Sequence, residues 1–153
     1  EARLQGLLPR PERYEVVHRT LYKVHQRVAS RFRLGRVMLA GDAAHINNPL
    51  GGMGMNGGVH DAFNLTAKLI DVIEGRAPDS LLDQYERQRR TVAIEYINAN
   101  TARNKQLIEE RDEAVRDRIH AELRATAADP QASMAYIRKT SMFDALERAR
   151  SIA

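Results

Sequence analysis

The chain has 153 residues, no cysteine and a formal net charge of +4. That length can bury a real core in one domain, and the missing cysteine excludes disulfides, thiolate nucleophiles and thiolate metal sites. No apolar run approaches the ~18 residues of a membrane span, and the opening EARLQGLLPRPER has no signal-peptide pattern, so a cytoplasmic protein with no membrane partner is expected.

The charge is uneven. Residues 1–36 hold nine Arg and Lys against three acids. No aromatic platform is interleaved with these cations and no helix-turn-helix spacing is present. The section therefore reads as a solvated strand face able to attract an anionic cofactor or acidic substrate, and no nucleic-acid partner is expected. The chain lacks an initiator Met, and its first residues read as part of something longer.

Pro9 and Pro11 mark an irregular lead-in. Residues 15–28 (EVVHRTLYKVHQRV) alternate around Val17, Arg19, Leu21, Lys23 and His25, the pattern of a half-exposed strand. His18 and His25 would face opposite sides of it, and with His60 and His120 they form no metal spacing, so no metal site is expected. Residues 37–40 (VMLA), between Gly35 and Gly41, read as a short buried strand paired with the preceding one.

Asp42 then stands at the strand's carboxyl end, where open α/β sheets place ligand-contacting side chains. A loop follows with Pro49 and with Gly51, Gly52, Gly54, Gly57 and Gly58, five glycines in eight residues. They lack the bulk that would keep a ligand off the backbone. The loop empties into a helix whose N-terminus offers free N–H donors and partial positive charge. Strand, acid, glycine loop and helix start make a cofactor-binding corner. Residues 52–57 also satisfy G-x-G-x-x-G, but that fingerprint must directly follow a strand, and here a proline-bearing loop intervenes. No other part of the chain supplies it. His45, three residues after Asp42, reads as a packing or hydrogen-bonding histidine at the loop base, because no nucleophilic Ser or Cys accompanies it.

The helix after the loop carries Val59, Ala62, Phe63, Thr66, Leu69, Ile70 and Ile73 at helical spacing, widened by Leu65 and Val72. So broad an apolar arc predicts the axis of the core. Asp61 falls in its first turns, where an acid suits the macrodipole, and Gly75 and Pro78 end it. A second helix, capped by Asp79 or Ser80, runs on from Leu82 and Tyr85 to about Glu110, with Glu86 forming exposed pairs to Arg89 or Arg90. Residues 111–126 thin to Val115, Ile119 and Leu123 amid dense charge, the pattern of a solvated or partner-facing helix. Pro130 restarts the chain, and residues 135–149 predict one or two short helices broken near Thr140.

Taken together, G-D-A-A-H, P-x-G-G-x-G-M-N-x-G and D-A-x-N-L-x-x-K-L over residues 35–69 resemble the second FAD-binding motif of the flavin-dependent aromatic hydroxylases, the p-hydroxybenzoate hydroxylase-like monooxygenases. LLDQYERQRR at residues 81–90 extends the likeness more weakly. The resemblance implies FAD as cofactor, NAD(P)H as co-substrate, O₂ as oxidant and a small aromatic substrate. It implies that Asp42, beside Gly41, hydrogen-bonds a ribityl hydroxyl. It implies too that the Met55 and Asn56 amides face the pyrimidine edge of the isoalloxazine, that Gly51, Gly52 and Gly54 admit the ring, and that Pro49 walls it. No catalytic side chain is assigned, since the flavin carries the oxygen chemistry.

The fold expected is mostly α with a small β element. It would be the C-terminal fragment of an FAD/NAD(P)-binding α/β fold, lacking the N-terminal Rossmann βαβ unit. Residues 1–34 would end a substrate-domain strand region, 35–75 form the second FAD motif and 76–153 a C-terminal helical region. Alone, the fragment should be inactive, bind FAD weakly and cover its apolar faces by homo-oligomerising. The competing reading is a non-catalytic helical interaction module or an inactive truncated fragment.

Overall fold

A computed structural model describes residues 1–153 in full. The polypeptide begins with a short helix that the sequence pattern does not announce, α1 (Ala2–Leu7), and residues 8–26 then carry neither helix nor strand. Strand β1 (Arg27–Val28) pairs antiparallel with β4 (His45–Ile46), and β2 (Arg33–Leu34) pairs antiparallel with β3 (Val37–Met38). The strand expected over residues 15–28 therefore survives only in its last two residues, and its partner is β4 rather than the stretch 36–40. The cause is the missing neighbour. Val17 and Leu21 alternate as a strand should, yet they are 92% and 87% exposed, and alternation without a ladder to satisfy N–H and C=O groups does not make a strand. His18 and His25 consequently lie in irregular backbone.

Gly35, at φ 59°, opens the two-residue turn between β2 and β3, the left-handed backbone that tight hairpins require. The buried strand expected at 37–40 is thus one arm of a small hairpin. Val37 stays 65% exposed, whereas Leu39 packs against the core and accepts the Tyr85 hydroxyl at 2.6 Å through its carbonyl.

Past two 3₁₀ turns, Gly41–Ala43 and Pro49–Gly51, comes helix α2 (Gly54–Ile73). Gly75 (φ 70°) closes it: its N–H reaches the Val72 carbonyl at 3.1 Å and the Arg76 N–H reaches Asp71 at 2.8 Å, a Schellman ending. Helix α3 (Leu81–Val92), a π-helical turn (Ala93–Asn98) and α4 (Ala99–Glu109) then run on without interruption. Ser80 stands at the N-cap of α3 without a side-chain bond, and the Asp79 carboxylate is drawn off to Arg33, so neither expected cap functions as one. Helices α5 (Glu113–Ala128) and α6 (Pro130–Thr140) are capped by Asp112 and Asp129, whose carboxylates accept the N–H groups of Val115 and of Gln131 and Ala132. Met142, left-handed at φ 65°, makes the break before α7 (Phe143–Arg150).

The core gathers on α3 and the π turn. Tyr85, Val92, Ala93 and Ile97 meet Phe32, Ala44 and Met53 from the loop side and Met142, Ala145 and Ala149 from the last helix. Helix α2, expected as the core's axis, buries only Gly57 and Asp61, while Phe63 and Ile73 remain 77% and 78% exposed. It touches the rest through one face, where Leu65 packs against the core, and the side of its apolar arc that carries Val59, Phe63, Ile70 and Ile73 stays exposed. Helices α5 and α6 bury no residue, in keeping with their thin apolar stripe. No helix is long and apolar enough to cross a membrane.

Candidate functional site

The corner has two sides of opposite character. On the outer side lie the residues that the sequence singled out. Asp42 sits in the 3₁₀ turn Gly41–Ala43, exposed, with no hydrogen-bond or ion-pair partner. Pro49 and Gly51 form the second 3₁₀ turn, which Asn48 steadies by accepting the Leu50 N–H at 3.0 Å. Gly52 turns the chain in the left-handed region at φ 62°. Met53, at the N-cap of α2, offers no side-chain cap, and the first helical bond is Gly57 N–H to the Met53 carbonyl at 2.8 Å. The N–H groups of Gly54, Met55 and Asn56 are therefore free at the start of a twenty-residue helix. A Cβ on Gly54 or Gly52 would meet nothing within 4 Å, and Met55 is 79% exposed. The structure thus brings an unpaired carboxylate, an uncapped helix N-terminus and open glycine backbone into one corner.

On the inner side, packing rather than a ligand demands glycine. A Cβ on Gly51 would collide with Thr101 Oγ1, and one on Gly57 would lie 2.9 Å from Ile97 Cδ1 and 3.0 Å from His45 Cε1. A Cβ on Gly58 would come within 3.2 Å of Gly41 Cα, so the turn bearing Asp42 rests directly on the start of α2. Helix α4 holds the loop from behind, with Asn104 Nδ2 donating to the Leu50 carbonyl at 3.1 Å.

Beneath the corner is an ion centre that sequence periodicity did not reveal. Asp61 is fully buried. Its Oδ2 accepts His45 Nε2–H at 2.6 Å and the Gly41 N–H at 2.9 Å, and its Oδ1 accepts Arg89 Nε–H at 2.6 Å. Arg89 also donates to the Gly57 carbonyl at 3.3 Å. Burial by itself would push the Asp61 carboxyl up. The His45 hydrogen bond, the Arg89 charge and bond, and the Gly41 N–H outweigh it and hold the group below its ordinary value.

Two expectations are corrected here. Asp61 lies in the second turn of α2 and answers Arg89 rather than the macrodipole, and Arg89 is buried rather than exposed. Glu86 likewise pairs with neither Arg89 nor Arg90; it accepts the Phe32 and Arg33 N–H groups at 2.8 and 2.6 Å and Arg31 Nε at 3.1 Å. His45, 1% exposed, is indeed a hydrogen-bonding histidine at the loop base. The available sequence signal was a lone arginine on the apolar side of α3, a position that a cation occupies only with a partner.

Around this centre, burial pushes the Tyr85 phenol up, as does the Asp61 charge. It pushes His60 down, helped by the Arg89 charge. Burial first and Arg89 second also lower Lys68, whose ammonium rests on the Asn64 and Gln88 side-chain oxygens at 2.9 and 3.0 Å.

Residues 9–100 match the family described as the FAD binding domain. The chain belongs to that family. Within it the chain is a flavin-dependent aromatic hydroxylase-like segment. It is 45% identical over 121 residues to para-nitrophenol 4-monooxygenase of Pseudomonas sp. (strain WBC-3), covering 79% of this chain and 30% of that protein. It is 47% identical over 98 residues to 6-hydroxy-3-succinoylpyridine 3-monooxygenase HspB of Pseudomonas putida (strain DSM 28022 / S16), covering 64% of this chain and 25% of that protein. Among solved structures, p-nitrophenol 4-monooxygenase PnpA from Pseudomonas putida DLL-E4 superimposes with a TM-score of 0.74 at 41% identity, over 82% of this chain and 31% of that one. The aromatic hydroxylase CabE of angucycline biosynthesis gives 0.69 at 37% identity, over 80% and 24%. The chain thus spans less than a third of the length of these relatives, and its mostly helical fold matches one part of theirs. The family likeness favours the flavin reading over a non-catalytic helical module.

Proposed function

We propose that this chain forms the ribityl- and ring-facing corner of the flavin site of an FAD-dependent monooxygenase acting on a small aromatic substrate with NAD(P)H and O₂. One observation carries the reading. In a chain of the FAD binding domain family, an unpaired Asp42 carboxylate sits on a turn that rests on Gly58 of α2, the helix whose start presents the free N–H groups of Gly54, Met55 and Asn56. A carboxylate accepts from sugar hydroxyls, and a helix N-terminus favours an electron-rich ring edge. The residues present therefore fit a flavin.

When bound, the flavin supplies the electron transfer and oxygen chemistry of hydroxylation. The chain's own work is binding and electrostatics. Asp42 would hold the ribityl chain, Met55 and Asn56 would donate to the ring edge, and the positive end of α2 would favour negative charge there. Gly52 and Gly54 leave room for the ring, Gly41 and Gly51 set the two turns, and Pro49 fixes the wall. No side-chain nucleophile takes part. The adenosine half calls for a strand-borne G-x-G-x-x-G, which these 153 residues do not carry, so the chain alone should bind FAD weakly and be inactive.

Flavin mononucleotide, which lacks the adenosine, is the direct probe. Titrated into the isotope-labelled chain, it should shift the amide signals of Asp42, Met55 and Asn56, with FAD giving a similar affinity. Absence of shifts there at millimolar flavin overturns the assignment. Tight FAD binding without flavin mononucleotide binding would place the contacts on the adenosine half instead.

A further inference from the structure

The Asp61 centre lies under the corner and touches both of its ligand-facing parts. Asp61 belongs to α2, the helix whose first turn presents Met55 and Asn56, and its Oδ2 takes the N–H of Gly41, the residue before Asp42. The same oxygen takes His45 Nε2–H, so the strand leaving the turn is tied to the same point. Asn47 Nδ2 lies 3.3 Å from His45 Nδ1, the ring nitrogen turned away from Asp61, and holds the imidazole from its other side. Arg89 balances the carboxylate from α3 and closes the loop of contacts on the Gly57 carbonyl.

Stability alone gives no reason for this arrangement. Buried ion sets replaced by apolar side chains of similar volume often leave a protein as stable or more so. What an apolar replacement cannot reproduce is the direction of three donors converging on one carboxylate. The turn also rests on α2 at van der Waals distance, Gly41 Cα against Gly58. A one-residue slip of the turn along the helix would break the Gly41–Asp61 bond.

We propose that Asp61 is a positioning residue of the flavin corner. Through Gly41 and His45 it fixes Asp42 against the N-terminus of α2, so its loss separates the two groups of flavin contacts while removing neither. The inference rests on the corner being a flavin site, and the test keeps the two apart.

The whole chain is compared with two multiple variants. Asp61→Leu/Arg89→Met/His45→Leu makes the centre apolar. Asp61→Asn/Arg89→Gln is electroneutral and keeps the tether, because the asparagine oxygen can accept from Gly41 and His45 while its amide donates to the glutamine side chain introduced opposite it. The expected result is a folded apolar variant whose Gly41 amide exchanges rapidly and whose flavin mononucleotide affinity falls about tenfold or more. The amide variant should keep Gly41 protected and its affinity within about threefold of the parent. A folded apolar variant with parental affinity and a protected Gly41 amide overturns the proposal. Should that variant not fold, the parent decides: a Gly41 amide exchanging as freely as the exposed loop defeats the tether outright. If the parent binds no flavin, the flavin reading falls, while Gly41 exchange and the Asp42 signals of the variants still report whether Asp61 positions the turn.

Discussion

The two sides of the corner differ in kind although they share a backbone. The inner side is satisfied and full: Gly57 and Gly51 are pressed against Ile97, His45 and Thr101, and Asp61 has three donors. The outer side is open and unsatisfied: Gly54 faces free space, Asp42 has no partner, and three helix N–H groups lack acceptors. Glycine means opposite things on the two sides. Inside, it is the residue that fits; outside, it leaves space unfilled. Substitutions should therefore separate stability from ligand binding according to the side they strike.

The largest effect is expected from Arg89→Met alone. It leaves the fully buried Asp61 without its cation, which should cost about 3–5 kcal/mol of stability and shift the urea midpoint accordingly. An unchanged midpoint would show that the inner side does not depend on charge balance. Next, Gly57→Ala must displace Ile97 or the His45 ring and should cost about 1–3 kcal/mol in the same assay, outweighing the better helix propensity of alanine.

Asp42→Ala strikes the outer side. Stability should stay within about 0.5 kcal/mol, while flavin affinity drops by roughly 1–3 kcal/mol with the loss of a hydroxyl partner; calorimetric titration beside a thermal melt separates the two. Acid should act on the inner side. The Asp61 carboxyl is held below its ordinary value in the fold, so its stabilising contribution is present above the unfolded carboxylate range near pH ~4. That contribution is lost as pH falls through the lower folded value. Urea midpoints should decline below that pH, and less steeply in the Asp61→Asn/Arg89→Gln variant. The smallest change is Gly54→Ala, which meets no atom within 4 Å. It should leave the melting curve within about 0.5 kcal/mol of the parent while weakening flavin binding, the reverse of Gly57→Ala.

The sequence by itself determined what is local. The order of turn, glycine loop and helix was legible because left-handed glycine, helical periodicity and a closing glycine act within a few residues, as at Gly52, α2 and Gly75. The restart at Pro130 and the break after Thr140 followed for the same reason. Only the tertiary structure decided what needs a distant partner. Residues 15–28 have a strand's alternation, but a ladder must be closed by another strand, and only β1 found one, in β4. Glu86 looked poised for Arg89 or Arg90 one helical turn on, yet it turned to the backbone of Phe32 and Arg33. Arg89, 28 residues from Asp61, is the arginine that the fold brings to that buried carboxylate. Periodicity records which face of an element is apolar; the match between a buried charge and its counter-charge is made by packing, and no spacing along the chain encodes it.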